Sequence, residues 1–127
     1  MDAKQEAERA VARSGGTLVG GTVGPFRIDS IFHYGAVDID PRHLVVWVLL
    51  SGGSDDSLPE WYFGEDDADG HAQADRLGPE VVTALAEVQA VVRRELRAVG
   101  WPDADHAQVG FDSSHRVEVH GRWSYFK

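Results

Sequence analysis

The sequence predicts an α+β fold: a mostly antiparallel sheet of about four to five strands packed against one long helix near residues 79–99, with a short N-terminal helix. Three observations predict it. Apolar residues recur at spacings of three and four through 79–99. Alternating and β-branched runs fill the segments on either side of that helix. These strand-like segments are grouped before and after the helix, without the regular βα alternation of a doubly wound fold.

Taken in order, residues 2–13 read as a short amphipathic helix with Ala3, Ala7, Ala10 and Val11 on one side. Ser14-Gly15-Gly16 is expected to end it, since glycine tolerates a left-handed cap. Residues 17–24 hold the pair Gly20-Gly21 and read as a bulged strand or a loop. From 26 to 34 the pattern alternates. Phe26, Ile28, Phe32 and Tyr34 are expected on one face, with Arg27, Asp29 and His33 on the other. Gly35-Ala36 reads as a turn or bulge, after which residues 37–40 extend the pairing as far as Pro41. The run Leu44-Val45-Val46-Trp47-Val48-Leu49-Leu50 has the length and composition of a central strand covered on both faces.

The long helix carries its own start and stop. Pro79 suits a first turn, Glu80 suits the positive end of the helix dipole, and Arg93, Arg94 and Arg97 suit the other end. Val81, Leu85, Val88, Val92, Leu96 and Val99 make one apolar stripe, and Gly100 with Pro102 closes the element. Residues 107–111 alternate as a short strand, and 122–127 read as a last one. Between them, 114–120 fit either a strand or a helical turn begun by Ser113 or Ser114.

The chain, 127 residues long, is expected to form a single domain, 1–127, with an acidic insertion at about 52–78. Between Asp55 and Asp75 there are eight acidic side chains and no Lys or Arg, against a formal net charge of −9 for the whole chain. An aromatic triplet, Trp61-Tyr62-Phe63, is embedded in that run. So acidic a balance argues against a nucleic-acid binder, which needs clustered Lys and Arg for phosphates. No apolar run approaches the roughly 18 residues of a membrane span. The polar start, Met1-Asp2-Ala3-Lys4, lacks the form of a secretory signal, so the expected compartment is the cytoplasm. With no cysteine, disulfides, thiolate metal sites and cysteine nucleophiles are excluded together.

No residue pattern commits the chain to a reaction, and no catalytic, metal or cofactor site is expected. Glu65-Asp66-Asp67-Ala68-Asp69-Gly70 resembles the front of an EF-hand loop. Its twelfth position, however, is Arg76, where calcium needs a bidentate carboxylate. His115, Glu118 and His120 do not form HExxH, and the two that share parity on a strand, Glu118 and His120, need a third ligand. His33 and His43 flank the two clearest strands; His106 beside Asp103 and Asp105 reads as a turn residue. Ser113-Ser114-His115 lacks GxSxG and reads as strand-end turn chemistry. Asp38 and Asp40 read as a charged strand edge, and Arg116 and Arg122 as solvent-facing or paired with carboxylates.

Two stretches carry a resemblance. Asp38-Ile39-Asp40-Pro41 leads into the 44–50 run, and Phe111-Asp112-Ser113-Ser114 precedes the ending Gly121-Arg122-Trp123-Ser124-Tyr125-Phe126-Lys127. Together they resemble small cytoplasmic bacterial proteins of the polymorphic-toxin immunity type. That resemblance covers about a third of the chain and carries no active site onto any residue; it implies a neutralising, protein-binding role.

The expected function is therefore a non-catalytic acidic module that binds a basic protein, an immunity protein against a basic toxin domain being the version the resemblance implies. The expected contact residues are Asp55, Asp56, Glu60, Trp61, Tyr62, Glu65, Asp66, Asp67 and Asp69, with acids to steer and Trp61 and Tyr62 to anchor. Two other readings stand beside it. One is a small enzyme or ligand-binding domain with a pocket between sheet and helix, using His33, His43 or Asp38. The other is a subunit that homodimerises through a sheet edge.

Overall fold

A computed structural model describes residues 3–35, 43–52, 62–64 and 75–119. They form a four-stranded mixed sheet with helices on both faces. The strands are β1 (Thr22–Val23), β2 (Phe26–Tyr34), β3 (Val45–Ser51) and β4 (Gln108–Ser113), in the spatial order β1-β2-β3-β4. The helices are α1 (Ala3–Leu18), α2 (Pro79–Ala98) and α3 (Ser114–Val119), with a 3₁₀ turn at Ala104–His106. This is the α+β class expected, with two of the three strand pairs antiparallel. The third pair, β3 with β4, is parallel because α2 carries the chain back across the sheet between them.

β3 is the centre. Val46, Val48 and Leu50 point to the side of α1 and α2, where they pack with Val81, Leu85, Val88, Val92 and Leu96 of α2 and with Val109 and Phe111 of β4. Trp47 and Leu49 point the other way and pack with Val117 of α3. Both faces of this strand are buried, as its seven-residue apolar run demands. The stripe on α2 is the one the spacing predicts, with one addition: Gln89 is buried among the apolar residues.

The first helix is longer than its glycines predict. It passes through Ser14, Gly15 and Gly16 to Leu18. Ser14 is fully buried and its hydroxyl donates to the Ala10 carbonyl at 2.8 Å, while Leu18 packs against the core. Those contacts offset the cost of glycine inside a helix, about 1 kcal/mol each. The stop comes at Gly20, at φ 89°, whose N–H donates to Ile28 of β2 at 2.8 Å. The Gly20-Gly21 pair thus joins helix to sheet.

β2 also departs from its expected pattern. Its alternation is interrupted between Ile28 and Ser30, where the register with β3 shifts and Asp29 is the extra residue. Phe26, Ile28 and Ile31 consequently pack on the helix side, whereas Phe32 and Tyr34 pack with Trp47 on the opposite face. One inserted residue turns over everything beyond it. His33 lies, with Ile31, on the side of α1.

Residues 114–119 take the helical alternative. Ser113 is the cap: its Oγ accepts the Arg116 N–H at 3.2 Å. The strands expected at 37–40 and 122–127 lie outside the described residues. Among the described residues no helix is long and apolar enough to cross a membrane.

Candidate functional site

The acidic insertion is rooted on the body at three described residues, Tyr62, Phe63 and Gly64. Tyr62 pairs with Phe111 of β4 as a single antiparallel bridge: its N–H donates to the Phe111 carbonyl at 3.1 Å, and the Phe111 N–H donates back at 2.9 Å. The Tyr62 ring turns into the main core, 6.2 Å from the Phe111 ring and 3% exposed. Phe63 turns to the opposite face of the sheet, where its ring meets Trp47 edge-on at 5.2 Å. This seat requires Gly110. A Cβ there would stand 2.6 Å from Phe63 Cε1 and 2.8 Å from Trp47 Cζ3.

Gln89 completes the root. Its Nε2 donates to the carbonyls of Phe63 and Val109, each at 3.0 Å. Backbone groups of Val109, Phe111 and Ser113 share the side of β4 that faces away from β3. The Val109 carbonyl is taken by Gln89, both polar groups of Phe111 by Tyr62, and the Ser113 N–H by Asp112 Oδ1 at 2.7 Å. Among the described residues, these polar groups on the outer side of β4 are met by side chains and by the Tyr62 bridge.

Of the residues expected to contact a partner, Tyr62 is the one described, and its ring is a core contact, not an exposed anchor. The alternation of ring faces at 62 and 63 is what a short strand does, and Phe63, not Tyr62, takes the face opposite the main core. Asp55, Asp56, Glu60, Trp61, Glu65, Asp66, Asp67 and Asp69 lie outside the described residues. The run emerges again at Asp75, which is exposed and helical beside Arg76.

A second polar group lies where β4 passes into α3. Asp112 is fully buried and meets Arg116 Nη1 at 2.6 Å, one helical turn on. Asp29, the bulge residue of β2, accepts from Ser51 Oγ at 3.0 Å and from Ser114 Oγ at 2.8 Å. These contacts fasten α3 to three strands. They also dispose of the Ser113-Ser114-His115 sequence as nucleophile chemistry: one hydroxyl caps a helix, the other donates to a carboxylate, and His115 is exposed. Arg116, expected at the surface or paired, belongs to a buried pair.

Among the described residues, the remaining histidines do not converge. His43 is exposed, and His106 pairs at 2.8 Å with Asp103 in the 3₁₀ turn. His33 is half-buried, its Nδ1 enclosed with no hydrogen-bond partner. Burial holds its pKa below the usual 6.5, with Glu8 of α1 acting to raise it and Lys4 to lower it. Glu118 belongs to helix α3 and not to a strand, and His120 lies outside the described residues. Among the described residues no three His, Asp or Glu side chains gather into a metal-holding group. Asp38 and Asp40 lie outside the described residues. Compared with protein-family models, with curated proteins and with solved structures, the chain finds no match.

Proposed function

We propose that this protein is a non-catalytic, acidic protein-binding module. In this reading residues 55–75 form the contact segment and the partner is a basic protein domain, as an immunity protein would require. The observation that carries the reading is charge segregation: eight carboxylates without a Lys or Arg in one stretch, leaving −1 on the other 106 residues. Such a field speeds encounter with a basic surface and discriminates against acidic ones. Its root at Tyr62 and Phe63 supports the reading, because a segment fixed at its middle loses less freedom on binding than a free loop. The space between sheet and α2 is occupied by Val46, Val48, Leu50, Val81, Leu85, Val88 and Val92, which weighs against a ligand pocket there.

The test is neutralisation. Replacing Asp55, Asp56, Glu60, Glu65, Asp66, Asp67 and Asp69 by Asn or Gln takes the formal charge from −9 to −2. Binding to the basic protein that the wild type captures, followed by calorimetry at rising salt, should lose its salt-sensitive part. Equal capture by the neutralised variant would remove the segment as the interface.

A further inference from the structure

We propose that the first half of α1, residues 4–13, is a cover over residues 31–34 of β2 that lifts when His33 takes up a proton. The acidic segment plays no part in it.

The covered stretch begins where β1 stops. Ile28 of β2 is held from outside: its N–H donates to the Gly21 carbonyl at 2.9 Å, and its carbonyl accepts the Gly20 N–H at 2.8 Å. Beyond the bulge the alternation is reset. Backbone groups of Val46, Val48 and Leu50 face β4, so those of Val45, Trp47 and Leu49 face β2. Their partners Tyr34, Phe32 and Ser30 therefore face β3, and the backbone groups of Ile31 and His33 face outward. Among the described residues no other backbone group meets them. The side chains of the same two residues turn to α1, Ile31 packing against the main core. α1 thus stands over a stretch of strand edge that no described strand continues.

The cover is lightly held. Between Lys4 and Arg13 its buried side chains are Ala7 and Ala10, each a single methyl group, with Val11 half-buried beside them. Arg13 adds an ion pair with Glu95 of α2 at 2.9 Å, from a side chain that is 59% exposed and so screened by salt. Gly15 and Gly16, the residues that hold a helix least firmly, separate this half from Leu18 and the Gly20 stop. Few buried contacts mark an element that opens at less cost than unfolding the whole chain. His33 lies beneath it. Its Nδ1 is enclosed and has no hydrogen-bond partner among the described residues. An imidazolium carries a proton on both ring nitrogens, so charging His33 puts an N–H donor where nothing accepts it. From α1 it faces Glu8, which favours the charge, and Lys4, which opposes it, and burial outweighs both. β3, its neighbour through Val46, brings no titratable group, and no other charge of the described residues acts on the ring. Moving the first half of α1 aside gives the ring water and leaves the sheet intact.

Amide exchange tests this, with each rate referred to that of the unfolded chain at the same pH. In the wild type, residues 7–13 should exchange faster than Val46 and Val48 of β3 at pH 8, through an opening smaller than global unfolding. Their protection should then fall several-fold between pH 8 and pH 5. His33→Gln should keep the local opening and lose its pH dependence. Residues 7–13 and β3 exchanging alike at both pH values would mean that α1 leaves only with the whole fold, and would overturn the proposal. So would the same fall of protection in His33→Gln. Should that variant fail to fold, the wild type decides alone. A lowered folded pKa requires the loss at 7–13 to begin near the ordinary histidine value of 6.5 and to level off at the midpoint of the His33 ring protons followed by NMR. A loss in another range, or none, contradicts the switch.

Discussion

His33 sits on the helix side of β2, half-buried beneath α1, with its Nδ1 enclosed and without a hydrogen bond. Burial lowers its folded pKa, and the charges that face it, Glu8 and Lys4 on α1, act in opposite directions. A depressed folded pKa means the unfolded chain takes up its proton first as the pH falls. Stability is therefore full above about 6.5 and declines below it, towards the lowered folded value. Urea unfolding from pH 8 to 5 should show that decline in the wild type and a shallower one in His33→Gln. Parallel curves would mean that His33 binds its proton equally well in the folded and unfolded states. Single residues also carry the least local signal in the sequence. Asp112 and Arg116 are four apart, the spacing of a helical pair, but the spacing acquires meaning only once 114–119 is known to be helical. Gln89 carries no local signal at all, since its acceptors lie 26 and 20 residues away.

The elements divide by how much of their determination is local. α2 begins at Pro79 and ends before Gly100, and its stripe is continuous, so its limits could be read directly. β3 is equally plain, because an apolar run of that length between breakers has few other uses. α1 is different: the preference of Gly15 and Gly16 for ending a helix is overruled by the burial of Ser14 and the packing of Leu18, both of which depend on the rest of the fold. Gly16→Ala is expected to stabilise the protein by about 0.5–1 kcal/mol. Its position is exposed, a Cβ there meets nothing within 4 Å, and alanine is the better helix former. Thermal unfolding checks this, and a destabilised variant would argue that 14–18 is not helical in solution. The bulge at Asp29 was hidden for another reason. Ser30 and Ile31 depart from strict alternation, but which residue is the extra one becomes visible only in the pairing with β3.

Across the whole molecule, the sheet is covered by α1 and α2 on one face and by α3 with Phe63 on the other, and the outer side of β4 is closed by Gln89, Tyr62 and Asp112. That arrangement weighs against dimerisation by strand addition at β4, while the acidic segment is the contact proposed on its charge. Its root could be glimpsed in the sequence as aromatics inside a charged run, but which ring faced inward depended on β4 and α2. The central claim is that a basic partner docks on residues 55–75 while the sheet and helices stay as they are. Hydrogen exchange of the complex against the free protein tests this most directly. The account predicts slowed exchange in peptides covering 53–75, with β3 and the buried side of α2 unchanged. Protection confined to β2, α1 or the outer face of α2, with none at 53–75, would contradict it.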